Sequence, residues 1–138
     1  MGFEVFILSF ESGKPVGFPI DRIRDAFSPH VADSSVYAWE LVYDGEYNGG
    51  VNLMPHPTDQ SLLHGFTVDQ PGADPRMWDT LAAVLALGPF ALVFASGHPP
   101  LIGNTDVIEH LPPDMIQSLG QPRFVRSGEE IIHEIRTP

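Results

Sequence analysis

Two short stretches, Phe3–Phe10 (FEVFILSF) and Pro89–Ala95 (PFALVFA), are apolar at almost every position and rich in aromatic and branched side chains. A strand with one face in water alternates polar and apolar residues, so an unbroken apolar run this short predicts a strand covered on both faces. Both stretches are therefore expected to be interior strands of one sheet, side by side.

The rest of the chain supplies strands and helices to build around them. PIDRIRDAF places Pro19 at a first helical turn with Ile20, Ile23 and Phe27 on one stripe, a short helix. SVYAWELVY puts Tyr37, Trp39, Leu41 and Tyr43 on one face of a half-buried strand. DGEYNGG is turn-forming, VNLMP reads as the returning arm, and LLHGFTVDQ reads as a third meander strand with Leu62, His64, Phe66 and Val68 on one side. Asp74 as N-cap, Pro75 at the first helical position, the stripe Met77, Trp78, Leu81, Val84 and Leu85, and the Gly88-Pro89 stop define a longer helix. Two short helices follow in PPDMIQSLG and SGEEIIHEI, the second with Ser127 and Glu130 at capping-box spacing, and RFVR between them reads as an edge strand.

The expected class is α+β: a single mixed or mainly antiparallel sheet of about five strands with helices packed against it. The 138 residues are read as one domain, 1–138, since folding at this length buries roughly 68 % of the unfolded surface.

Charge narrows the partner classes. Seven Lys plus Arg against eighteen Asp plus Glu give a net charge of −11. No lysine or arginine lies between Asp25 and Asp74, a stretch that also holds Asp33, Glu40, Asp44, Glu46, Asp59 and Asp69. Such a field repels nucleic-acid backbones and anionic headgroups and speeds association with basic partners. No apolar run approaches the ~20 residues that span a bilayer, and the N-terminus lacks the basic start of a secretory signal, so no membrane role and a cytoplasmic location are expected. Without cysteine there is no disulfide framework or thiolate metal site. Ser12-Gly13-Lys14-Pro15 fails as a phosphate loop because Leu8 stands where the first glycine belongs and Pro15 where the hydroxyl does. No dinucleotide fingerprint occurs, and no cofactor is expected.

Three constellations remain. His56, Asp59 and His64 have the ligand types for a divalent ion but no recognised spacing, and a lone strand histidine is more simply a core residue. Ser96 and His98 follow an apolar strand in SGHPP, as a nucleophile and base would, yet the nucleophile-elbow pattern is absent. A bend at Gly97 stiffened by Pro99-Pro100 explains the same residues with an exposed His98. On that reading Gly97→Val lowers the melting temperature and His98→Ala changes it little. Tyr43, Asp44, Glu46, Tyr47 and Asn48 join aromatic and acidic side chains in one hairpin, the equipment of a binding surface.

In size, acidity and lack of catalytic motifs, the chain resembles the immunity proteins with which bacteria neutralise toxins, a resemblance of build rather than of any motif. It implies a protein-binding domain that inhibits a basic or polar protein partner. The alternative is a small hydrolase-like enzyme using His98 with Ser96 or a nearby carboxylate. A His98 buried in a cleft and bonded to a carboxylate would favour the enzyme.

Overall fold

The computed structural model describes residues 4–32, 34–94 and 97–136; Phe3, Asp33, Ala95 and Ser96, named above, lie outside them. In chain order the elements are β1 (Glu4–Glu11), β2 (Lys14–Pro15), β3 (Phe18–Pro19), α1 (Ile20–Phe27), β4 (Val31–Ala32), β5 (Ala38–Tyr43), β6 (Glu46–Pro55), β7 (Leu62–Asp69) and α2 (Pro75–Leu87). β8 (Phe90–Phe94), β9 (Leu101–Ile102), a 3-10 helix at Thr105–His110, α3 (Pro113–Leu119), β10 (Arg123–Phe124) and α4 (Gly128–Arg136) follow. No helix among them is long and apolar enough to cross a membrane.

The protein is α+β, with one mixed sheet in the order β10-β9-β8-β1-β7-β6-β5-β4; β2 pairs with β1 and β3 with β7 beside this path. Among the described residues the sheet has ten strands rather than about five, because five of them (β2, β3, β4, β9 and β10) are two-residue pairings that leave no periodic trace in sequence. The two apolar stretches are adjacent interior strands. Ile7 of β1 faces Phe66 of β7 on one side and Leu92 of β8 on the other, both antiparallel.

Alternation along β1 divides two cores. Val5 and Ile7 point into the main one, where Trp39, Leu41, Tyr43, Phe66 and Val68 of the sheet meet Ile23 and Phe27 of α1, Trp78, Leu81 and Leu85 of α2, and Ile131 of α4. Leu8 and Phe10 point the other way, into a small cluster with Ala91, Ile102, Val107 and Leu111 that Met115 and Ile116 of α3 help to cover. On β5 and β6 the residues alternating with the core positions, Ala38, Glu40, Val42, Gly50, Asn52 and Met54, are exposed or half-buried.

One face assignment changes. The β6–β7 register slips between Met54 and Pro55, so Leu63, not Leu62 or His64, enters the main core. The extra residue of the bulge breaks the simple alternation from which the sequence pattern was read.

Candidate functional site

The hairpin joining β5 to β6 closes on Asp44 and Gly45, whose φ values of 52° and 80° make a two-residue turn between Tyr43 and Glu46. Its tip is tied to the start of α2: Arg76 donates from one guanidinium nitrogen to Asp44 Oδ2 and to Asp74 Oδ2, each at 2.7 Å, and lies over the Tyr43 ring. Hydrogen bonding by Arg76 is the main reason the Asp74 carboxyl is held down at about 2. The same two aspartates hold the Arg76 guanidinium above its ordinary value.

Tyr43 and Asn48 are therefore not surface residues. Tyr43 is 1 % exposed, stacked on His30 with centroids 4.1 Å apart. Burial pushes its phenol up; the hydroxyl lies near Thr80 but makes no hydrogen bond of ordinary geometry. Asn48, 6 % exposed, accepts the Asp74 N–H at 3.1 Å and donates to the Glu46 carbonyl, pinning the hairpin to the loop before α2. The exposed part of the candidate hairpin is Asp44, Glu46 and Tyr47, the last half-exposed at 50 %.

Tyr47 extends this surface onto the sheet. It helps to line a shallow depression of about 370 Å³ with Ser35, Glu40, Gly50, Asn52 and Asp69, and no lysine or arginine is among the lining residues. A β-carbon at Gly50 would stand 3.2 Å from the Tyr47 hydroxyl, which shows how far the ring folds back over the strand. The Asn52 amide donates to Asp69 Oδ2. Glu4 lies opposite Asp69 in the β1–β7 register, and its carboxyl is raised, first by sharing a hydrogen with Asp69, then by desolvation and by the like charge. Among the described residues no hydrogen bond of ordinary geometry reaches the buried Asp69 Oδ1.

The candidate metal residues are not assembled. The rings of His56 and His64 stand 4.9 Å apart, but His56 Nδ1 accepts the N–H groups of Thr58 and Asp59 at 3.1 and 3.2 Å. In the neutral ring that leaves the hydrogen on Nε2, where a metal would need a lone pair. Asp59 is occupied as well, accepting from the hydroxyl and the backbone N–H of Ser61, which lowers its carboxyl. Among the described residues no group of three or more His, Asp or Glu side chains can hold a metal ion.

His98 is not the exposed loop residue that the sequence suggested. Its side chain is 9 % exposed, packs on the Phe94 ring at 4.5 Å, and sets Nε2 3.2 Å from Glu134 Oε1 of α4. Its Nδ1 lies 2.8 Å from the Pro99 carbonyl. The carboxylate that an enzyme would need is thus present, yet each ring nitrogen already faces a protein acceptor, leaving none for a substrate proton. Ser96, the proposed nucleophile, lies outside the described residues.

Comparison with protein-family models, curated proteins and solved structures finds no match to this chain. Sequence reasoning missed Arg76, Asn52 and Asp69 as parts of this surface. Only Asp74, recognisable as an N-cap, carried a local signal.

Proposed function

We propose that this chain is a protein-binding domain that docks a basic protein partner on the meander half of its sheet. The observation that supports it is topological. β4 to β7 follow one another in sequence and in space, so the stretch without lysine or arginine becomes one contiguous half of the sheet. That half presents Glu46 at the hairpin tip, beside Asp44 in its pair with Arg76, and places Glu40 and Asp69 in the depression beside Tyr47. Carboxylates of one sign around a half-exposed tyrosine suit lysine and arginine side chains, by charge and by cation–π contact. The resemblance in build to immunity proteins fits the same reading, with a basic toxin as the partner inhibited.

Calorimetric titration of the whole chain with a peptide of alternating arginine and glycine tests this, with duplex DNA of similar length as the control. The expected result is peptide binding that weakens as salt is raised, at least about tenfold weaker in the Glu46→Lys, Tyr47→Ala double variant, with no binding to DNA. Absence of peptide binding at low salt, or equal binding of the DNA, would overturn the reading.

A further inference from the structure

We propose that the open face of the sheet takes an amphipathic helix of the basic partner, laid across the strands with an apolar side on β1 and β8 and a cationic flank on the meander. α1, α2 and α4 pack on the main-core face. The 3-10 helix and α3 cover the other face only around Leu8, Phe10, Ala91 and Ile102. Beyond that cluster, the residues that alternate with core positions fall into rows fixed by the register. Val93, Phe6, Thr67, Asn52 and Ala38 stand opposite one another across β8, β1, β7, β6 and β5. Glu4, Asp69, Gly50 and Glu40 form the next row across β1, β7, β6 and β5. Phe6, Met54 and Val93 are half-buried yet belong to neither core cluster among the described residues.

The two rows select the shape of the occupant. Neighbouring strands are about 4.8 Å apart and helical turns 5.4 Å apart, so a helix crossing the sheet meets about one strand per turn. Five strands span about 19 Å, the length of about 13 helical residues. The rows lie about 7 Å apart, two residues along each strand, within the ~10 Å width of one helix. Side chains three and four positions apart on such a helix share a face, so one set rests on Phe6 and Val93 while the set beside it reaches Glu4, Asp69 and Glu40. An extended segment crossing the strands would turn every second side chain away from the sheet. Charge complementarity makes the flank over the carboxylate row lysine or arginine, since neither row contains a cation. The inference rests on the reading of a basic protein partner and gives that partner's contacting element a form.

Two leucine–arginine peptides of one composition and about 14 residues test this against the whole chain, with binding followed by NMR shifts. In one, leucines recur at helical spacing with arginines along one flank; in the other, the order is scrambled so that no helical face forms. The first is expected to bind at least about tenfold more tightly, to become helical by circular dichroism, and to shift the signals of Phe6 and Val93 together with those of Glu40 and Asp69. Phe6→Ser should weaken it about tenfold and leave the arginine–glycine peptide unaffected, and unchanged binding in that variant would overturn the proposal. Equal binding of the two leucine–arginine peptides overturns the helix while the charge-based reading stands; failure of all three peptides to bind overturns both. Val93 and Met54 methyls shielded from a soluble paramagnetic probe in the free chain, by a second copy or by another part of the chain, also overturn it. Should Phe6→Ser fail to fold, the two leucine–arginine peptides on the wild-type chain still decide.

Discussion

Replacing His98 by alanine is expected to destabilise this chain by about 2 kcal/mol. A hydrogen bond to a charged partner contributes roughly 1.5–3 kcal/mol. Here the truncation leaves Glu134, 18 % exposed at its side chain, to Arg123 alone and strips a ring from Phe94. Water reaching the vacated space and the retained Arg123 bond place the loss low in that range. At about 3–4 °C per kcal/mol for a chain of this size, the melting temperature falls by about 6–8 °C. The neighbouring Gly97→Val acts through the backbone, because Gly97 has φ +68° and, among the described residues beyond its chain neighbours, nothing lies within 4 Å of the β-carbon it lacks. Left-handed backbone in a residue with a side chain costs about 1–2 kcal/mol, so both substitutions are costly rather than Gly97→Val alone. Thermal unfolding of His98→Ala, Glu134→Gln and their combination, read as a double-mutant cycle, should show a coupling of at least about 1 kcal/mol. A His98→Ala melting point within about 1 °C of wild type, or strictly additive variants, would refute the reasoning.

Two further outcomes follow from the ties between the hairpin and α2. The Asp74 carboxyl is held down at about 2 from an ordinary 3.8, so the stability it contributes is complete above the ordinary value and lost as pH falls toward 2. Denaturant midpoints measured in that acid window should therefore drop less steeply for Asp74→Asn than for wild type, and parallel acid limbs would contradict the assignment. Asn48→Ala leaves the Asp74 N–H and the Glu46 carbonyl without their partners and should cost about 2 kcal/mol in chemical unfolding while leaving Tyr47 exposed. A neutral result there would return Asn48 to the surface.

What could be read from the sequence was whatever depends on near neighbours. The Asp74 cap, Pro75 and the apolar stripe of α2 act within a few turns of one helix, and the cap does accept the Arg76 N–H at 2.9 Å. The Asp44-Gly45 turn likewise needs only its own backbone. The unread parts join residues far apart: Asn48 reaches Asp74 across 26 positions, and β10 runs parallel to β9 through two residue pairs. His98 shows the same limit. Gly97 has the left-handed backbone that a local bend needs, but His98 also meets Glu134, on a helix that the local sequence cannot place. Burial of Tyr43 was open in principle, since it alternates with Trp39 and Leu41; its tie to Arg76, which also engages Asp44, was not.

The candidate surface shows how a compositional bias becomes geometry. A lysine-free, arginine-free stretch scatters its charge if its strands are separated by crossovers, and concentrates it if they form a meander. Here β5, β6 and β7 are joined by short connections and β4 pairs back on β5, so the bias becomes one end of the sheet. At the opposite end stands β10, with Arg123 in the strand and Arg126 over the ring of Phe124. The arginines of the two helices under the meander are held over rings: Arg22 over Phe18, Arg24 over Trp39 and Arg76 over Tyr43. None of them is among the residues that line the depression beside Tyr47 and Asp69. Arg123 at the β10 end is already paired with Glu134, and on the proposed reading a cationic partner is drawn to the meander half, where the carboxylates lie with no lysine or arginine among them in sequence.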